Sequence, residues 1–374
     1  MKKSVGWSAA LGLLAATAAA ASTAHAQSNV SIYGIADGGV VFENGNPRGS
    51  TTKVGSGISA GSRLGFRGSE DLGGGLSANF VMETGFNLDN GGFAQGVTFT
   101  GNQGLIFGRQ SHVGLKGGFG SVSFGRQYNP YFLTLNFVDP YATGQVGQSN
   151  NLMTTTGSGG RTNNSILYVS PKFAGAGVEL LYGFGEVAGD NARSRVINGA
   201  LSYASGPLVL RLAHQHQNNA SATVAAAKNT ILGGTYDFGI AKLHAAFAVN
   251  KGPGSTTINA QATGFNLGNG TPYTAVPAVA STDARDLLVG TTVPVAGGRV
   301  LASYVRRNDR TALNQDANQF SVGYEHNLSK RTILYTAYAR ISNSNGAAYT
   351  VGNSGDASGG SGDRAISLGV RHHF

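Results

Sequence analysis

One stretch of the chain has the spacing of a serine nucleophile. Gly57-Ile58-Ser59-Ala60-Gly61 reads G-x-S-x-G, which supports catalysis when a strand delivers the serine and a helix follows it. Here a loop-like stretch precedes the motif and a strand-like run follows it, so it reads as a Gly/Ser loop. His214 and His216 lie two apart, which puts both on one face of a strand as half of a metal site. No third ligand accompanies them, and they read as polar strand-end residues. His372 and His373 fall on opposite faces. The Gly355–Gly362 stretch lacks the following Lys-Ser/Thr of a phosphate loop. The chain has 0 Cys, which excludes a disulfide scaffold, thiolate metal sites and a cysteine nucleophile. These residues imply no catalytic group, no metal site and no cofactor.

The elements that could position side chains are preceded by an address. Lys2 and Lys3 are followed by an apolar stretch from about Ala9 to Ala21 and by Ala24-His25-Ala26. That is the three-part pattern of a secretory signal peptide cleaved before Gln27. The expected organisation is therefore residues 1–26 as signal peptide and 27–374 as one domain. Beyond residue 26 no apolar run is long enough for a transmembrane helix. Gly is abundant (58) and Pro scarce (9), and only 12% of residues are charged. Scarce Pro suits long paired strands, and abundant Gly suits many turns. The formal charge is +9, of which Lys2 and Lys3 supply two. The remaining basic residues are dispersed and mostly Arg. That argues against a nucleic-acid partner and for a surface or channel that attracts anions.

The recurrent signal is a segment of about ten residues with period-2 alternation. Leu76, Ala78, Phe80 and Met82 oppose Ser77, Asn79 and Glu83. Leu243, Ala245, Phe247 and Val249 oppose Lys242, His244 and Asn250. Ile333, Tyr335, Ala337, Ala339 and Ile341 oppose Thr336, Tyr338 and Arg340. Seven short turns, such as Glu70–Gly75 and Gly117–Gly120, alternate with about eight long polar stretches, such as Phe42–Gly61, Tyr128–Gly160 and Gly252–Ala284. That predicts sixteen antiparallel strands with both termini on the short-turn side. Unpaired sheet edges cannot be satisfied in hydrocarbon, so strands that cross a bilayer must close into a barrel. About sixteen strands leave room for water inside. Tyr33, Tyr203, Tyr335 and Phe374 read as aromatic girdle residues. A terminal aromatic on the last strand is similar to the assembly signal of bacterial outer-membrane proteins, which assigns that role to Phe374.

Four runs carry a family resemblance. Ser62-Arg63-Leu64-Gly65-Phe66-Arg67-Gly68-Ser69-Glu70-Asp71-Leu72-Gly73-Gly74-Gly75-Leu76 resembles the second strand and first periplasmic turn of Gram-negative general porins of the betaproteobacterial branch. Ser31-Ile32-Tyr33-Gly34-Ile35-Ala36-Asp37 and Gly369-Val370-Arg371-His372-His373-Phe374 resemble the same family, as does the region holding Phe107-Gly108-Arg109-Gln110 and Phe124-Gly125-Arg126-Gln127. The resemblance implies an all-β, 16-stranded antiparallel transmembrane β-barrel whose third external loop, within Tyr128–Gly160, folds inward. It also implies a homotrimer in the outer membrane, set among lipid and lipopolysaccharide, that passes inorganic ions and small hydrophilic solutes passively. By position, the basic wall of the constriction would be Arg63, Arg109 and Arg161, with Arg67 and Arg126 from the same motifs. The acidic side would be Asp139 and Glu83. Alternation independently places Arg63 and Glu83 on the polar face. It leaves Arg109 open, because Val113 and Leu115 share its parity. Asp139 is the sole acid between Tyr128 and Gly160, so the expected selectivity leans toward anions. The alternatives are a solute-specific porin for a small anion, or a non-channel barrel acting as adhesin or surface enzyme.

Overall fold

The computed structural model describes residues 29–45, 49–95, 105–157, 159–256, 280–352 and 362–374. The proposed signal peptide and most of Gly355–Gly362 lie outside the described residues. Strands β1 (Asn29–Asn44), β2 (Thr51–Ser56), β3 (Arg63–Gly73), β4 (Leu76–Gly85), β5 (Gln110–Gly117) and β6 (Gly120–Tyr128) lead into helix α1 (Pro130–Val138). Then follow β7 (Arg161–Val169), β8 (Ala176–Gly183), β9 (Val196–Ser205), β10 (Leu208–Gln217), β11 (Ala227–Asp237) and β12 (Lys242–Lys251). The chain finishes with β13 (Asp283–Val295), β14 (Gly298–Asp309), β15 (Ala317–Asn327), β16 (Thr332–Asn343) and β17 (Arg364–His373). Each strand pairs antiparallel with its neighbours, and β17 returns to β1 from Ile35↔His373 to Asn44↔Arg364. Among the described residues the sheet therefore has no free edge.

The seventeen strands make sixteen staves, because β2 and β3 share one. β2 pairs with the upper half of β1 (Gly38–Glu43) and β3 with its lower half (Asn29–Ile35). The expected long loop at Phe42–Gly61 is thus in part ladder, supplied by the end of β1 and by β2. Six residues of mixed polarity in β2 show no legible alternation, which hides the strand in the sequence. An excursion follows at Gly57–Ser62, the G-x-S-x-G stretch, which buckles into the barrel. The buried Asp37 carboxylate of β1 accepts Ser59 N–H (3.2 Å), Ala60 N–H (2.9 Å) and the Tyr335 hydroxyl (2.7 Å). Gly57 takes a positive φ of 64° at the bend, where a side chain would be strained.

Alternation sorts the wall into two faces. On β12, Leu243, Ala245, Phe247 and Val249 face outward, whereas His244, Ala246, Ala248 and Asn250 are buried on the inside. The short turns carry a rim of exposed apolar side chains, among them Phe119, Phe173 (85% exposed), Ile240 (82%) and Leu328. Tyr203 and Phe374 lie outward as expected for a girdle. Tyr33 and Tyr335 do not. Both sit on inward positions, where Tyr33 donates to Glu83 (2.9 Å) and Tyr335 to Asp37. The same inversion applies along β16. Its apolar row Tyr335, Ala337, Ala339 and Ile341 is buried inside the barrel, and Leu334, Tyr338 and Arg340 face outward. An apolar inner face is stable there because protein covers it: a Cβ on Gly323 of the neighbouring β15 would stand 3.1 Å from the Tyr141 ring, and Tyr141 belongs to the inward-folded loop.

That loop follows β6. The Asn129 side chain caps α1 by accepting Phe132 N–H (2.8 Å), and Pro130 occupies the first turn, where its missing N–H costs nothing. Tyr131, Leu135 and Val138 are fully buried against the inner wall of β9–β12. Beyond the helix the chain is tied across the wall. Tyr141 donates to the Leu301 carbonyl of β14 (3.3 Å), Gln145 to Glu325 of β15 (2.8 Å), and Asn151 to Gln319 of β15 (2.8 Å). Gln145 N–H also reaches the Ile58 carbonyl, so the two inward excursions support each other.

Candidate functional site

Beside the first turn of α1, the strands β3 to β7 gather the charged side chains. Arg109 stands one residue before β5, where strand alternation no longer directs it, and its side chain turns inward to 6% exposure. Its Nε donates to Glu83 Oε1 (2.7 Å) and its Nη2 to the Tyr128 hydroxyl (2.6 Å). Arg161, the first residue of β7, donates to the same hydroxyl from its Nη2 (2.6 Å), and its guanidinium carbon lies 4.5 Å from the Tyr128 ring centroid. Tyr128 thus holds two guanidinium groups together, a like-charge contact that its oxygen and π face offset. Arg63 donates to the Gly61 carbonyl (2.9 Å) and lies within electrostatic reach of Arg109, Arg161 and Glu83. Among the described residues neither Arg63 nor Arg161 has an acidic partner. The cluster therefore holds three guanidinium groups and one carboxylate.

Close approach of backbone makes room for it. A Cβ at Gly61 would stand 2.9 Å from Arg109 Nη1, and one at Gly65 would enter the Tyr33 ring. Tyr33 in turn holds the second oxygen of Glu83.

The other expected site residues lie elsewhere. Arg67 shares the inward face of β3 but sits lower, with its guanidinium 5.0 Å over the Tyr33 ring. Arg126 donates to the Gly108 carbonyl (2.8 Å) and to Asn163, away from the Tyr128 hydroxyl. Asp139 is not brought to the arginines. It is 2% exposed, closes the C-terminus of α1, and accepts N–H groups from Tyr141 (2.9 Å), Thr143 (3.1 Å) and Ser149 (2.7 Å). Burial holds its carboxyl above its ordinary pKa, against the pull of those N–H groups. The loop therefore shows no carboxylate to the arginine wall. Phe374 pairs its backbone with Gly34 in both directions (3.0 and 3.1 Å), which continues the closure of the barrel to the last residue.

Tyr128 is the site residue that sequence reasoning missed. A register shift between Gly125 and Gln127 breaks the alternation of β6 just before it, and a bulge re-aims the side chains that follow. His214 bonds Thr230 and His216 bonds Asn218. Among the described residues no three His, Cys, Asp or Glu side chains could share a metal.

A cavity of about 530 Å³ adjoins the cluster. It is lined on the strand side by Asn79, Gln110, Ser123, Gln127 and Tyr128, among others, and on the loop side by Leu133. A closed barrel with an apolar exterior, a polar interior and a loop laid into that interior is a channel across a bilayer. The Gram-negative porin model matches residues 12–346, and the chain belongs to that family. It is an outer-membrane channel protein and not an enzyme. It is 32% identical over 392 residues to outer membrane porin protein 32 of Delftia acidovorans, covering 100% of both chains. An anion-selective porin from Comamonas acidovorans superposes with a TM-score of 0.73 at 30% identity, over 93% of this chain and 100% of that one. The trimer form of OmpT, an outer-membrane protein of Vibrio cholerae, has the same fold (TM-score 0.62, 16% identity, 93% of this chain and 99% of that one).

Proposed function

We propose that this porin is a water-filled general diffusion channel that prefers anions, with Arg63, Arg109 and Arg161 as its filter and Glu83 as the opposing acid. The observation that carries this reading is the cluster itself: three guanidinium groups around Tyr128, with Glu83 as the one carboxylate bonded to them. Fixed positive charge on a narrow wall lowers the entry barrier for anions and raises it for cations. A solved relative described as anion-selective supports the direction. Asp139 serves the loop in this reading and has no part in the filter. Arg67 extends the basic wall below the cluster, whereas Arg126, bonded to Gly108 and Asn163, is left out of the filter. The further elements of the proposal are a signal peptide over residues 1–26, an assembly signal at Phe374, and a homotrimer in contact with lipopolysaccharide. The trimer is supported by the family resemblance and by the trimer form of the Vibrio protein.

The test is the reversal potential of the purified protein in a planar bilayer under a KCl gradient. The expected sign is that of chloride preference. A potential of the opposite sign ends the proposal.

A further inference from the structure

The face that the inward loop turns to the lumen is not acidic but apolar. On α1, Tyr131, Leu135 and Val138 are buried against the wall, which leaves Phe132, Leu133 and Phe137 on the water side, with Asn136 turned to the loop by its bonds to Ala142 and Thr143. Phe132 stacks on Tyr128, with ring centroids 5.2 Å apart. Leu133 lines the cavity beside the same tyrosine. Below Arg161 the inward positions of β7 continue this character. Leu167 pairs across the ladder with Ser123, Val169 pairs with Ser121, and all four line the cavity. A wall that only passes water and small ions gains nothing from half-buried Leu and Val, since each leaves apolar surface in water. Charge stands at both ends of this strip: the arginine cluster above, and below it Lys116, which also lines the cavity and has no ion pair among the described residues.

We infer that Leu133, Leu167 and Val169 form an apolar strip that selects organic anions with an apolar body, such as aromatic monocarboxylates, over equally sized polar anions. The carboxylate rides from the arginines toward Lys116, while the ring stays against the strip and is desolvated on one face. The inference rests on the anion-preferring reading of the same site.

Benzoate and nicotinate test it, because they share size, shape and charge and differ in one ring atom. In bi-ionic reversal measurements across a planar bilayer, benzoate should be about threefold more permeant than nicotinate, the ratio expected when one modest apolar patch leaves water. Leu167→Ser combined with Val169→Ser should bring the ratio close to one. Leu133→Ser, which lies outside the sheet, gives a second measure if the wall variant fails to assemble. Equal permeability of the two anions in the wild type, or a ratio that ignores these substitutions, overturns the strip. A KCl gradient on the same membranes separates the two readings. Potassium preference removes the anion-preferring filter. Chloride preference without discrimination between benzoate and nicotinate removes the strip alone.

Discussion

Arg63→Gln isolates the contribution of one fixed charge. Arg63 has no carboxylate partner among the described residues and bonds a carbonyl that belongs to the Gly57–Ser62 excursion. Its removal therefore leaves no acid unpaired, and the field at the constriction changes by one unit. At ~6 Å in water a unit charge is worth about 0.7 kcal/mol. The term has opposite sign for chloride and potassium, so the permeability ratio should fall by about tenfold, equivalent to ~1.4 kcal/mol. Reversal potentials in a tenfold KCl gradient would move toward zero by tens of millivolts, with open-channel conductance preserved. Salt should weaken the effect, because the field acts on permeating ions through lumen water. Glu83→Gln should act in the opposite direction, since it leaves the arginines without their counterion. If Arg63→Gln conducts normally with an unchanged reversal potential, the wall arginines are not the filter.

Three further outcomes follow from contacts outside the filter. Arg307 is 1% exposed and forms a bidentate pair with Asp286 (2.8 and 2.7 Å) behind the loop. Arg307→Met should leave selectivity unchanged and cost ~3–5 kcal/mol of stability, as for an orphaned buried charge, read as a lower temperature of barrel unfolding on gels. Asp139→Ala removes the acceptor of three loop N–H groups, a loss of about 3 kcal/mol or more. Single-channel records should then show larger and noisier steps, with the barrel itself still heat-resistant. Deleting Phe374 removes the reciprocal pairing with Gly34. Yield of folded barrel from cells should fall, whereas Phe374→Tyr should restore it.

The barrel was legible in the sequence because its wall obeys one rule, and it was least legible where the interior is not water. Alternation with an apolar outward row reads correctly on β12 and β17, whose inner faces are polar or small. It misleads on β16, where the loop covers Tyr335, Ala337 and Ile341 and the inner row becomes the more apolar one. β2 escaped notice because its few residues hold one outward apolar side chain, Val54, beside Thr52 and Ser56. Of the three arginines that gather around Tyr128, Arg63 and Arg109 were pointed to by motif and Arg161 only by its place before its strand. Tyr128 was hidden, because period-2 reasoning assumes an unbroken strand and a bulge precedes it. Asp139 was misjudged for a different reason: a carboxylate in a loop sequence carries no sign of whether it meets solvent or backbone N–H groups.

A chain of modest net charge can still gather uncancelled positive charge at its constriction. The acids are not absent from this barrel; they are committed to its scaffold. Asp37 holds the Gly57–Ser62 excursion against Tyr335, and Asp139 knots the end of α1. Asp286 anchors Arg307 and Asn250 behind the loop, and Glu43 pairs with Lys53 at the upper rim. All four are buried, at 0%, 2%, 0% and 2% exposure, and each is already compensated by N–H groups, a hydroxyl or a cation. Compensated charges inside protein project little field into water, whereas Arg63 and Arg161 are bonded only to neutral carbonyl and hydroxyl oxygens, which leave their positive charge uncancelled. The sign of the lumen is set by which charges lack a partner, and a count of acids and bases along the chain does not measure that. Converting a scaffold acid to its amide should therefore alter loop position or stability with little effect on ionic preference. The reverse holds for Glu83, the one acid bonded to an arginine of the filter.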